Sequence, residues 1–104
     1  MKEKEIETYL RNEIKKLGGK AYKFVSPGNN GVPDRLICLP GGQVVFVETK
    51  ASGKKSTALQ LKKQKELRDL GFVVYGGVAG EVDSKEKVDE IMKYCAELII
   101  IACK

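Results

Sequence analysis

The sequence predicts an α/β domain built on a mixed β-sheet, with a central hairpin flanked by helices. Three observations predict it. Apolar residues recur at three- and four-residue steps early, midway and late in the chain, the period of amphipathic helices. Two β-prone runs meet at Pro40-Gly41-Gly42-Gln43, the mark of an antiparallel hairpin. A further short apolar run is entered from a helix, which implies a crossover connection and so a sheet of mixed direction.

The first helix spans residues 3–17, where Ile6, Tyr9, Leu10, Ile14 and Leu17 form one apolar stripe, and Gly18-Gly19 ends it. Residues 20–26 alternate as a strand does and stop at Ser26-Pro27-Gly28-Asn29-Asn30-Gly31, the longest irregular stretch. Residues 34–39 and 44–51 form the two hairpin strands. A second helix starts at Ser56 or Thr57, either of which can cap it, passes through Leu59 and Leu67 to Leu70, and ends at Gly71. Residues 72–75 read as a buried strand. Asp83 or Ser84 caps a last helix with Val88, Ile91, Met92 and Cys95 on one face. Residues 98–103 admit two readings: Leu98, Ile99 and Ala102 continue the helical stripe, whereas three consecutive isoleucines also suit a strand. The sequence has no repeat, low-complexity tract or linker, and all of residues 1–104 read as one domain.

Composition narrows the chemistry. The chain of 104 residues carries 19 basic and 14 acidic side chains, a formal charge of +5, and no histidine. Without imidazole, the serine and cysteine triads, the H-E-x-x-H zinc helix and histidine-assisted phosphoryl transfer all lose their central group. Catalysis is left to carboxylates, lysine, hydroxyls, thiols or a metal held by oxygen. Cys38, Cys95 and Cys103 are odd in number and lack C-x-x-C spacing, so neither a disulfide framework nor a zinc site is expected, and a reduced, cytoplasmic setting fits. The charged start Met1-Lys2-Glu3-Lys4-Glu5 is unlike a signal peptide. The apolar run at 98–103 is far below the ~20 residues of a membrane span, so no membrane partner is expected. The positive excess favours an anionic partner such as nucleic acid.

The chemistry centres on the second hairpin strand. Side chains alternate along a strand, so Glu48 and Lys50 project from one face together with Val44 and Phe46. A carboxylate and an ammonium on a strand whose faces are both apolar are costly unless they line a cleft. If the loop is Pro40-Gly41-Gly42, Leu39 pairs with Gln43 and Asp34 falls opposite Glu48. A two-residue loop at Gly41-Gly42 instead puts Asp34 opposite Thr49, on the other face unless a bulge corrects it. Two carboxylates within a few ångströms repel, and a magnesium or manganese ion is the usual remedy. Such an ion polarises a phosphoryl oxygen and activates water, while Lys50 beside it orients the water and offsets charge on the phosphate. These parts suit metal-dependent phosphodiester hydrolysis.

Pro33-Asp34, followed after thirteen intervening residues by Glu48-Thr49-Lys50, resembles the PD-(D/E)xK nuclease motif. The wider pattern resembles the virus-type replication-repair nuclease (VRR-NUC) family: Glu7 in the first helix, Gly31-Val32-Pro33-Asp34-Arg35, Val47-Glu48-Thr49-Lys50-Ala51, then Ser56, and Gln60 eleven residues before Gly71. It covers residues 3–80 and is similar to the small stand-alone phage and bacterial members, without the accessory domains of the eukaryotic Fanconi-associated nuclease. The resemblance implies a restriction-endonuclease-like fold and magnesium or manganese held by Asp34, Glu48, Glu7 and the Thr49 backbone carbonyl. It also implies that Lys50 serves the nucleophile and that Gln60 stands at the edge of the acidic cluster. It further implies structure-dependent cleavage of DNA, with Holliday junctions or other branched DNA as substrate, and a homodimer working in replication, repair or recombination.

Other residues have plainer readings beside these. Gln60 and Gln64 share a helix face, and spacing to Gly71 favours Gln60. Lys15-Lys16, Lys54-Lys55 and Lys62-Lys63 are candidate phosphate contacts, with Lys54-Lys55 foremost because the loop leaving Lys50 should lie beside the scissile phosphate. Cys38 alternates with Leu36 and reads as core. Tyr22 and Phe24 read as packing residues. The alternative function is a DNA- or protein-binding module that keeps the fold without chemistry, its carboxylates being structural.

Overall fold

A computed structural model describes residues 1–103. The N-terminal stripe becomes α1 (Glu3–Lys16), followed by β1 (Lys20–Lys23), the hairpin β2 (Arg35–Cys38) and β3 (Val44–Val47), α2 (Ala58–Asp69), β4 (Val73–Tyr75) and α3 (Lys85–Ala102). The strands form one sheet in the order β1-β2-β3-β4; β1–β2 and β2–β3 are antiparallel, and β3–β4, joined by the α2 crossover, is parallel. The expected mixed sheet with a central hairpin is therefore present. Of the alternative caps, Thr57 starts α2 and Ser84 starts α3, each hydroxyl accepting the N–H three residues on, from Gln60 and Lys87 (both 3.2 Å).

One sheet face is covered by two helices. Ile6, Leu10 and Ile14 of α1 and Val88, Ile91 and Cys95 of α3 close over Ala21, Ile37, Val45 and Val47. The Tyr9 hydroxyl of α1 donates to the Asp89 carboxylate of α3 (2.6 Å), tying the two helices together. Burial pushes the Cys95 thiol up to about 11, which marks it as an inert core group. Beside β4, Arg68 of α2 donates to the carbonyls of Val74 and Gly76 (2.9 Å each). On the other sheet face Phe24, Phe46 and Phe72 pack in a row, the first pair tilted and the second edge-to-face, with ring centroids 5.6 and 5.5 Å apart.

The strands are shorter than their sequence signals. β1 stops at Lys23, although Phe24 N–H still donates to the Asp34 carbonyl (2.8 Å). β3 leaves its hairpin partner after Val47 while its other edge stays paired: Glu48 N–H donates to the Tyr75 carbonyl (2.9 Å) and Lys50 N–H to the Val82 carbonyl (3.0 Å). Thr49 makes an isolated parallel bridge to Val82. A single 3-10 turn, Gly77–Ala79, follows β4, where the sequence carries no helical signal.

The segment 98–103 is helical through Ala102. Leu98 and Ile99 pack against the core while Ile100 and Ile101 face outward, so burial along a helical stripe overrides the β preference of the isoleucines. The end of α3 rests on the hairpin turn. Gly41 sits there at φ +91°, and a Cβ on it would lie 2.6 Å from that of Ala102. Among the described residues no helix is long and apolar enough to cross a membrane.

Candidate active site

Hairpin register decides which side chains meet. Leu39 N–H donates to the Gln43 carbonyl (2.9 Å), and the ladder runs to Arg35 opposite Val47. One step further, Asp34 stands opposite Glu48, as the three-residue loop requires. The next step would put Thr49 opposite Pro33, which has no N–H to give the Thr49 carbonyl; the strands have parted by then, so the Thr49 N–H does not reach the Pro33 carbonyl either. The Asp34 carboxylate takes over half of that duty. Its Oδ1 accepts the Thr49 N–H (2.8 Å) and its Oδ2 accepts the Thr49 hydroxyl (2.6 Å). A two-residue loop is not what places Asp34 against Thr49; the end of the ladder does.

Glu48 is 3% exposed, and its Oε1 is buried with no hydrogen-bond partner. Its Oε2 lies 3.8 Å from the Lys50 ammonium, so the two side chains stand together as strand alternation demands. Burial first, and the neighbouring Asp34 charge second, push the Glu48 carboxyl up to about 8 against the pull of Lys50. Glu7 arrives from α1. Burial and the nearby Asp34 carboxylate hold it above the usual carboxylate range, against Arg35, whose Nε donates to Glu7 Oε1 (3.3 Å). Arg35 also donates through Nη1 to the Ala21 carbonyl (3.3 Å), bridging α1 to β1. Asp34 thus raises two other carboxyls, and Glu7, Asp34 and Glu48 form one electrostatic cluster at the ends of β2 and β3.

The cluster suits a hard cation in its chemistry. It offers an unpartnered buried carboxylate oxygen on Glu48, Asp34 oxygens that each accept one hydrogen bond and keep a lone pair, and a Thr49 carbonyl past the end of the ladder. In the arrangement seen, among the described residues, no three carboxylate or thiol side chains converge closely enough to hold an ion. Two of the carboxylates are held by hydrogen-bond donors, Asp34 by Thr49 and Glu7 by Arg35.

The structure adds neighbours that sequence reasoning missed. Glu81 accepts the Ser56 N–H (2.6 Å), the Ser56 hydroxyl (2.8 Å) and the Gly77 N–H (3.0 Å). Burial acts to raise Glu81, but these hydrogen bonds and the Lys50 charge outweigh it and hold the carboxyl below its ordinary value. Lys50 is therefore within the field of both Glu48 and Glu81. Gln60 closes the α2 capping box, its Oε1 accepting the Thr57 N–H (2.9 Å). The glutamine that turns fully inward is Gln64, which donates to the Ser56 hydroxyl (3.2 Å) while its Oε1 has no partner. Gly77, at φ +58°, makes room for it: a Cβ there would lie 2.2 Å from Gln64 Oε1.

Of the candidate phosphate contacts, Lys54 and Lys55 are exposed in the turn after Lys50, where Lys54 N–H donates to the Ala51 carbonyl (2.9 Å). Lys15 and Lys62 are exposed. Lys16 pairs with Glu13 (2.6 Å) and Lys63 with Glu66 (3.5 Å). Arg35, part of the Gly31-Val32-Pro33-Asp34-Arg35 motif but given no role on sequence grounds, lies 3.3 Å from Glu7 of the acidic cluster, nearer than Lys50 lies to Glu48 (3.8 Å).

Known proteins resemble this chain in sequence and in fold. No protein-family model matches the chain. A curated protein of Acyrthosiphon pisum secondary endosymbiont phage 1, described as "Putative nuclease p44", is 53% identical over 74 residues, covering 71% of this chain and 80% of that protein. A solved structure described as "VRR_NUC domain" superposes with a TM-score of 0.75 at 29% identity, over 88% of this chain and 95% of the other.

Proposed function

This chain belongs to the VRR-NUC family of nucleases, and we propose that it is a magnesium- or manganese-dependent endonuclease acting on branched DNA such as the Holliday junction, in replication, repair or recombination. The observation that carries the reading is Glu48: a buried carboxylate with one unpartnered oxygen, facing Asp34 and 3.8 Å from Lys50, at the end of a hairpin. A purely structural carboxylate in such surroundings would find a hydrogen-bond donor for each oxygen.

Asp34, Glu48 and Glu7, with the Thr49 carbonyl, would hold the cation. When bound it neutralises their mutual repulsion and polarises a phosphoryl oxygen. Lys50, held in place by Glu48 and the field of Glu81, orients the attacking water and offsets negative charge growing on the phosphate. Thr49 locks Asp34 with two hydrogen bonds, so that carboxylate meets the substrate in one orientation. Gln60 steadies the start of α2 beside the lysines of the preceding loop, which contact flanking phosphates.

Labelled four-way junction, flap, single-stranded and linear duplex DNA, each offered with magnesium, manganese or EDTA, test this reading. Cutting is expected with either metal, strongest on branched DNA and absent in EDTA. Lys50→Ala should cut about a hundredfold more slowly. Binding of these DNAs without cutting under either metal would leave a binding module in its place.

A homodimer fits a two-fold junction, and the outward pair Ile100 and Ile101, 62% and 67% exposed, supports a contact at the end of α3. Removing the whole segment from Leu98 would also strip core residues, so substitution is the cleaner probe. Ile100→Lys with Ile101→Lys is expected to convert a dimer to a folded monomer in light scattering. An unchanged mass would move the contact elsewhere. Three unpaired thiols support a reducing cytoplasmic setting.

A further inference from the structure

We propose that the cleft between α1 and the edge strand β1 is the track along which the DNA backbone runs away from the scissile phosphate; this rests on the nuclease reading and names where its substrate lies. The cleft has a volume of about 500 Å³ and is lined by Arg11, Asn12, Lys15, Gly19, Lys20 and Ala21, three cations and no anion. Among the described residues, none of those three cations forms an ion pair, whereas Lys16, next in sequence to Lys15, is paired with Glu13. Three like charges converging without a counter-charge repel one another, and a polyanion relieves that repulsion while releasing its own counterions.

The cleft joins the candidate active site. Glu7, Arg11 and Lys15 are spaced four apart and so share one face of α1, which passes from acidic at the catalytic end to basic at the far end. Arg35 spans the junction: it holds Glu7 at 3.3 Å and the carbonyl of Ala21, a cleft residue, at 3.3 Å. From Glu7 to Lys15 the helix rises about 12 Å, the length of about three to four nucleotides in a duplex strand. A strand with its scissile phosphate at the acidic cluster thus meets Arg11, Lys15 and Lys20 with its next phosphates. Of these three, only Lys15 is a phosphate contact on sequence grounds. Asn12 adds an amide that hydrogen-bonds phosphate or sugar oxygens.

The test compares two triple variants of the full chain with equal change in net charge, Arg11→Gln/Lys15→Gln/Lys20→Gln in the cleft and Lys85→Gln/Lys87→Gln/Lys93→Gln on α3. All six positions are exposed, so both variants should fold as wild type does, which melting curves check. Affinity for labelled duplex and branched DNA is measured in EDTA, where nothing is cut, over a range of salt concentrations. The cleft triple is expected to weaken binding at least about tenfold and to reduce the slope of log affinity against log salt by about 2–3, roughly one unit for each phosphate that the variant no longer neutralises. The α3 triple should change the slope by less than about one unit. Equal slopes for the two triples would overturn the proposal, as would a cleft that binds an acidic peptide with wild-type DNA affinity untouched by its mutation. Failure of the nuclease reading is separately visible, as wild-type chain that cuts no DNA with magnesium or manganese whatever the slopes.

Discussion

Glu48→Gln is expected to cut DNA about a thousandfold more slowly, or not at all, while folding at least as stably as wild type at neutral pH. The two effects share one cause. Glu48 is almost wholly buried, and its carboxyl titrates at about 8, so without a cation the side chain is mostly neutral at pH 7. Glutamine reproduces that neutral shape and removes the charge that would bind a metal. The sign of the pH dependence follows. Below about pH 4.5 the carboxyl keeps its proton whether the chain is folded or not; between about 4.5 and about 8 the unfolded chain loses the proton that the folded chain retains. Stability therefore falls as pH rises through this window, by about 1.4 kcal/mol per unit at most, and flattens above it. Glu7, also raised, works in the same sense. Glu81, lowered, acts in the opposite sense at the acid end: its contribution is present above the usual glutamate range and is lost as pH falls through its depressed value.

Melting temperatures in EDTA between about pH 5 and about pH 8 check this: wild type should melt lower at the alkaline end, and Glu48→Gln should lose most of that trend. Added magnesium should raise the wild-type melting temperature most at the alkaline end, where the proton competes least with the ion for Glu48, because an ion that binds only the folded state stabilises it by mass action. Glu48→Gln that still cuts would remove Glu48 from the site, and a wild type that grows more stable from acid to alkaline would mean that its carboxyl is not raised.

How much of this was legible in the sequence depends on how far apart the partners lie. The hairpin was legible because its turn is local: Gly41 and Gly42, at φ +91° and +87°, supply the left-handed geometry of an odd loop, and period-2 alternation then brings Asp34 opposite Glu48 and sets Lys50 beside it. The α2 cap was legible to within one residue for the same reason. Arg35 with Glu7, 28 residues apart, and Ser56 with Glu81, 25 apart, were not, since no periodicity links a helix to a strand or a cap to a loop beyond β4. Gln60 and Gln64 show the intermediate case. Helical spacing puts both on one face, but only the position of the N-cap decides that Gln60 turns back to Thr57 while Gln64 goes under the site. The isoleucine run at the C-terminus was ambiguous because its strand preference and its helical stripe conflict, and the core resolves it by packing against Leu98 and Ile99.

Asp34 separates binding chemistry from folding more sharply than any other residue here. Asp34→Asn and Asp34→Ala should be equally inactive, because each removes a charge from the acidic cluster, yet their stabilities should differ by about 2–6 kcal/mol. Thr49 is fully buried, and both its N–H and its hydroxyl donate to Asp34, the strands having parted before the Pro33 carbonyl can accept the N–H. Asparagine keeps a carbonyl oxygen for the N–H, and its amide donates to a hydroxyl free to rotate. Alanine leaves two buried donors unpaired, at about 1–3 kcal/mol each, which in a domain of this size lowers the melting temperature by about 10 °C or more relative to the asparagine variant. Removing the Asp34 charge also relieves Glu48, so both variants should show a weaker loss of stability from pH 5 to about 8 than wild type. Thr49→Val supplies the control: on an Asp34→Ala background it should recover part of the loss by deleting the stranded hydroxyl, whereas on the wild-type background it should cost stability by stranding an Asp34 oxygen. Equal melting temperatures for the asparagine and alanine variants would mean that water, not Asp34, satisfies Thr49, and that the carboxylate is free to turn toward the substrate without this clamp.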